Sequence, residues 1–181
     1  MARASELLDI ARGELGAREA PAESNRVKYN AWYYGREVAG AAYPWCMVFV
    51  QWCFAQAEAA ALLPARTASC GALMRAAQRA GCWVAKDFRP GDVVLYDFPG
   101  GGATDHCGIV ESASANGVVD IEGNTGTSSD ADGGQVQRRE RPARYIVGAV
   151  RPRYEEEDTM DNIPSNYARE AVTWAQRAGI L

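Results

Sequence analysis

Pro90-Gly91-Asp92-Val93-Val94-Leu95-Tyr96 marks the point where the period of the chain changes. Before it, apolar residues recur at helical spacing. After it they come in short runs bounded by turn residues, with a period near two. Upstream, Leu7, Leu8, Ala11 and Leu15 predict a helix over 5–15 that ends at Gly16. A second helix is expected to start near Trp45, after Pro44, and to run through Cys46, Phe49, Val50, Trp52, Cys53 and Ala57 towards Pro64. Ser69 is placed to cap a third helix across Leu73, Met74 and Ala77, closed by Gly81. Residues 20–43 read as irregular, broken by Pro21, Gly35 and Gly40 around the aromatic patch Tyr29, Trp32, Tyr33 and Tyr34. Downstream, strands are expected at 93–96, 106–110, 118–122 and 144–150, with a loop rich in Gly, Ser, Thr and Asp over 123–134. Helices followed by a run of strands predict an α+β fold, with N-terminal helices packed on an antiparallel β-sheet.

The 181 residues make about one domain. With 48% hydrophobic and 23% charged residues the chain has enough apolar material for a core, and a net charge of −4 gives no basic field for nucleic acid. Basic and acidic residues balance through Arg153, so the excess belongs to the stretch around Glu155–Asp161. That stretch reads as an acidic linker over 154–163, followed by a helical pattern over 164–181. No run is long and apolar enough for a membrane span, and the first residues lack the apolar core of a secretory signal. Nucleic acid and membrane are therefore not expected partners. The five cysteines form no CxxC pair and there is a single histidine, a pattern that speaks against both a disulfide framework and a structural zinc site.

Any mechanism needing an imidazole must use His106. A cysteine nucleophile works as the thiolate, which a helix N-terminus favours, and Cys46 stands just inside the helix opened by Pro44-Trp45. It needs a base, and the base needs a third group. On the strand after His106, alternation puts Asp120, Glu122 and Asn124 on one face, so Glu122 and Asn124 both qualify. Cys53, Cys70 and Cys82 read as core or half-buried, and Cys107 as structural, turned away from His106.

Tyr43-Pro44-Trp45-Cys46-Met47-Val48-Phe49-Val50-Gln51-Trp52 resembles the nucleophile motif of CHAP domains, the cysteine- and histidine-dependent amidohydrolases/peptidases of peptidoglycan. Pro90-Gly91-Asp92-Val93-Val94 resembles their central strand, Asp105-His106-Cys107-Gly108-Ile109-Val110 their histidine motif, and Ile121-Glu122-Gly123-Asn124-Thr125 the third motif. Asn25-Arg26-Val27-Lys28-Tyr29 and Trp32-Tyr33-Tyr34-Gly35 are similar to the upstream segment of phage endolysins and related Gram-positive wall hydrolases. The resemblance implies a papain-like fold of the NlpC/P60 group over 1–153. It also implies amide hydrolysis in bacterial peptidoglycan by Cys46 as nucleophile, His106 as base, Glu122 as orienting acid and Asn124 as a further polar member. Tyr34, Tyr43, Trp45 and Asp105 are expected to line the substrate groove, with Tyr43 as an oxyanion donor; the patch 29–34 has core as its other reading.

No cofactor and no metal are expected. The stretch 35–42, where some endolysin CHAP domains carry a calcium loop, has the single acidic residue Glu37, and Asp130 and Asp132 read as solvated turn residues. Residues 164–181 resemble the opening helix of an S-layer homology repeat, which makes them either the start of a truncated wall-binding module or a helix docked on the catalytic domain. The expected setting is a monomer made in the host cytoplasm and released to the cell wall. Either amidase or endopeptidase activity fits; the alternatives are an acyl transferase of the same fold and a catalytically silent wall-binding module.

Overall fold

The computed structural model describes residues 2–98, 104–126 and 133–155. The expected linker beyond Glu155, the C-terminal helix, and Asp130 and Asp132 lie outside the described residues. Four helices come first: α1 (Ala4–Gly13), α2 (Lys28–Tyr34), α3 (Cys46–Gln56) and α4 (Cys70–Ala80). Six strands follow: β1 (Trp83–Val84), β2 (Val93–Tyr96), β3 (His106–Ser114), β4 (Gly117–Thr125), β5 (Gln135–Pro142) and β6 (Ile146–Val150). They form one antiparallel sheet in the order β1-β6-β2-β3-β4-β5. This is the α+β arrangement that the change of period predicts.

Helix α3 is the hub. Its residues Cys46–Gln51, Cys53 and Phe54 are all buried, so it is apolar round most of its circumference, as a helix enclosed on several sides must be. It lies on the sheet face that presents Leu95, Cys107, Ile109, Ile121 and Val136, while Leu7, Leu8 and Ala11 of α1 cover it from outside. The closest approach is at Gly123. A β-carbon there would come within 2.5 Å of the Phe49 Cβ and 2.9 Å of the Trp45 ring, so β4 reaches the start of α3 only because that residue has no side chain. Helix α4 begins as expected: the Ser69 hydroxyl accepts the Ala72 N–H at 3.2 Å, and Gly81 ends the helix in the left-handed region at φ 68°.

Four expectations change. Residues 20–43 are not wholly irregular. Tyr29 is fully buried, stacked on Trp45 at 5.3 Å between centroids and edge-on to Phe49 and Trp52, and this packing stabilises the short α2, which Gly35 ends at φ 68°. The second helix stops at Gln56 rather than near Pro64, because Glu58 turns left-handed at φ 54°; a single 3₁₀ turn follows at Ala60–Leu62. Strand β5 was hidden by its polarity: only Val136 and Arg141 are buried in Gln-Val-Gln-Arg-Arg-Glu-Arg-Pro, as suits the outer strand of a sheet. Tyr154, expected to open the linker, packs instead against Phe54 and donates its hydroxyl to the Gly91 carbonyl at 2.7 Å.

Candidate active site

Cys46 is the first residue of α3, where the unpaired N–H groups of the opening turn point outward. Trp45, immediately before it, is held by Tyr29 and by its indole N–H, which donates to the Glu19 carboxylate at 2.8 Å. Glu19 is itself buried and accepts the Ser24 N–H at 2.8 Å. Trp45 therefore fixes the start of α3 from the core. It is fully buried, so its expected place in the substrate groove is corrected: the apolar ring gains more from stacking on Tyr29 than from exposure.

His106 opens β3 and is fully buried. Its ring packs near Tyr96 and Phe98, with centroids 6.2 and 5.9 Å away. Nε2 lies 2.9 Å from Glu122 Oε2, so the carboxylate occupies one ring nitrogen and leaves Nδ1 for Cys46. Nδ1 is buried and has no hydrogen-bond partner among the described residues, although Cys46 is close enough to act on the ring. Glu122 is gripped from the other side by Arg141, whose Nε donates to Oε1 at 2.6 Å and whose Nη2 donates to Oε2 at 2.7 Å. Arg141 also donates to Thr125 Oγ1 at 3.3 Å and covers the Phe98 ring at 4.8 Å. Next to this set, Tyr96 donates its hydroxyl to Asp120 Oδ2 at 2.6 Å. Room for the carboxylates comes from Gly108, where a β-carbon would fall 2.0 Å from Asp120 Oδ2 and 3.0 Å from Glu122 Cγ.

The electrostatics follow from these contacts. Burial opposes ionisation of Glu122, but Arg141 and His106 overcome it and hold the carboxyl at about 2. Burial likewise opposes the imidazolium, yet Cys46 and Glu122 raise His106 to about 10. Contacts from Cys107 and Cys70, then His106, draw the Cys46 thiol well below its usual range despite its burial. Asp120 goes the other way: burial and the charge on Glu122 raise its carboxyl well above the usual range. These shifts favour a thiolate–imidazolium pair at a helix N-terminus, backed by a carboxylate and a guanidinium.

Of the expected site residues, the structure brings Cys46, His106 and Glu122 together. Asn124 lies past a register shift between Glu122 and Thr125, in the left-handed region at φ 57°, with both side-chain amide atoms buried and unpartnered among the described residues. The carboxylate and not the amide takes the imidazole. Tyr34 and Tyr43 meet edge-on at 5.1 Å and are half-buried. Asp105 accepts the Phe98 N–H at 3.3 Å, and burial raises its carboxyl. Two contributors went unread: Arg141, disguised in a strand of surface composition, and the pair Cys70 and Cys107, whose sulfurs lie with that of Cys46 within 4.8 Å of one another. Strand alternation does turn Cys107 away from the imidazole, but towards α3, where the Cys46 sulfur is.

The fold and this site define a class: α+β proteins with a cysteine at the head of a central helix and a histidine on the adjoining sheet. Residues 38–124 match the CHAP domain family. Among solved structures, the wild-type endolysin LysIME-EF1 is similar over 99% of this chain and 87% of its own, at 14% identity and a TM-score of 0.52. Ly7917 is similar at 16% identity and a TM-score of 0.47, over 83% of this chain; the chain spans 62% of the length of Ly7917. At 14% identity the likeness to LysIME-EF1 is one of fold. No curated protein sequence matches the chain.

Proposed function

We propose that this protein hydrolyses an amide bond of bacterial peptidoglycan, with Cys46 as nucleophile, His106 as acid–base, and Glu122 as the group that orients and charges the imidazole. The observation that carries this reading is the buried Cys46–His106–Glu122 relay at the head of α3, within the residues that match the CHAP domain family. LysIME-EF1, which shares the fold, is an endolysin.

The Cys46 sulfur bonds the scissile carbonyl carbon, and the carbonyl electrons move to oxygen. The backbone N–H of Cys46, free at the helix start, donates to that oxyanion. As the oxyanion collapses the C–N bond breaks, and His106 gives its Nδ1 proton to the leaving amine. The imidazole then takes a proton from water, whose oxygen attacks the thioester, and Cys46 leaves as the thiolate with the proton back on His106. Glu122 accepts from Nε2–H throughout, which leaves Nδ1 as the working atom. Asn124 completes the polar end of the site, and the edge-on pair Tyr34–Tyr43 with Asp105 offers contacts to the substrate.

Incubation with purified Gram-positive peptidoglycan, with products read by mass spectrometry, tests the reading. New peptide N-termini at L-alanine identify an N-acetylmuramoyl-L-alanine amidase, and cuts inside the stem or cross-bridge an endopeptidase. Both should vanish with Cys46→Ala. Release of nothing from several wall types, together with retained wall affinity, would point to a binding module instead.

A further inference from the structure

We propose that Cys46, Cys70 and Cys107 form a zinc-binding site, so that a soft divalent cation shuts the protein off by taking its nucleophile. The three sulfurs come from three elements: the first residue of α3, the first residue of α4 and the second residue of β3. All three side chains are buried and their sulfurs lie within 4.8 Å of one another. A tetrahedral zinc with Zn–S bonds of about 2.3 Å separates its sulfurs by about 3.8 Å. Side-chain rotations that draw the sulfurs in by about 1 Å at most complete that geometry.

Three protein ligands leave the fourth tetrahedral position open to an outside donor. Two of the three thiols stand at helix N-termini. The protein's donor set is three sulfurs with no oxygen, so it selects zinc-like cations over calcium or magnesium. Spacing argued against zinc because the ligands 46, 70 and 107 make no local pair of the usual kind; only the packing of α3 and α4 on β3 gathers them.

Inhibition rests on the hydrolase reading, whereas metal binding does not.

The full chain, reduced and stripped of metal, is titrated with Co²⁺ and then with Zn²⁺. One equivalent of Co²⁺ is expected to give the visible bands of a tetrahedral site with thiolate-to-cobalt charge transfer, bleached by one equivalent of Zn²⁺. Cys70→Ser and Cys107→Ser should each weaken zinc binding about a hundredfold or more, since a direct ligand outweighs the 10–100-fold of an outer partner. Cys82→Ser, half-buried outside the cluster, should leave it unchanged. Should a serine variant fail to fold, the unaltered protein decides: zinc must block alkylation of Cys46, Cys70 and Cys107, read by peptide mass spectrometry, while Cys82 still reacts. Binding that survives both serine variants, or an absence of thiolate charge transfer, overturns the site. On peptidoglycan, a saturating equivalent should cut turnover about tenfold or more, restored by a chelator. Turnover unmoved by zinc overturns the inhibition. A chain that binds zinc through the three thiols yet cleaves no wall material overturns the hydrolase reading and leaves the metal site standing.

Discussion

Both faces of the sheet carry an apolar cluster, but only one of them also buries a network of charged and polar side chains. Towards α3, Leu95, Ile109, Ile121 and Val136 pack against Phe49, Val50 and Phe54 in an apolar core. On the other face, Tyr96, His106, Asp120, Glu122 and Arg141 are buried as well, but they are joined by hydrogen bonds and ion pairs: Tyr96 to Asp120, and Glu122 to both His106 and Arg141. The first face stabilises through area removed from water, which tolerates small changes of shape. The second gains little net stability from its charges, because desolvation offsets most of their attraction. What it gains is position: one tautomer, one ring orientation and one ionised thiol. The site sits at the start of β3, where Cys107 on one face and His106 on the other both reach Cys46.

The sharpest way to break this contrast is Cys46→Ala. It should lower peptidoglycan turnover by about 10⁴-fold or more and leave the melting temperature nearly unchanged, because a nucleophile is lost and little volume with it. Equal loss of stability would make Cys46 a core residue first. Glu122→Gln comes next, with an expected drop of about 10³–10⁴-fold in kcat from an imidazole in the wrong tautomer. Its pH–rate profile separates orientation from simple misfolding. In the unaltered protein the acid limb should lie well below the usual range of a thiol, and the alkaline limb near the His106 value of about 10. Removing the carboxylate should move the alkaline limb to lower pH; an unmoved limb would show that Glu122 does not charge the imidazole.

Arg141→Ala should cost about 3–5 kcal/mol in urea unfolding, since it leaves the Glu122 carboxylate buried without its cation. The same pair sets a pH dependence. Glu122 is depressed from 4.5 to about 2, so its contribution is complete above 4.5 and lost as the pH falls towards 2. His106 is raised from 6.5 to about 10, so its contribution is complete below 6.5 and lost as the pH rises through 10. On the apolar face, Ile109→Ala should cost about 2–5 kcal/mol with no change in the shape of the pH–rate profile. A shifted profile there would mean that the faces are coupled more tightly than the contacts indicate. The smallest effect expected is Ser69→Ala, about 1 kcal/mol from the lost cap of α4, read by thermal melting.

The apolar face was the legible one. Period and caps located α1, α3 and α4, and alternation located β2, β3, β4 and the core of β6, because these elements obey local rules. The segment around Tyr29 was harder. A seven-residue helix carries too few turns to show a period, and it exists because Tyr29 docks on Trp45 and Phe49. Strand β5 was illegible for a different reason: Arg138, Arg139 and Arg141 look alike in sequence, and only the last is buried, drawn in by Glu122 across the sheet.

By itself the sequence determined the class of fold, the place of Cys46 at a helix start, the uniqueness of His106, and the choice of Glu122 and Asn124 as its candidate partners. All of these rest on periodicity, capping and composition, which are local. The tertiary structure decided which of the two partners holds the imidazole, that Trp45 anchors the helix from within, that Arg141 backs the carboxylate, and that Cys70 and Cys107 stand beside Cys46. Each of these depends on residues far apart in the chain meeting at sheet register and helix packing, and the glycines at 108 and 123 permit those meetings by what they lack.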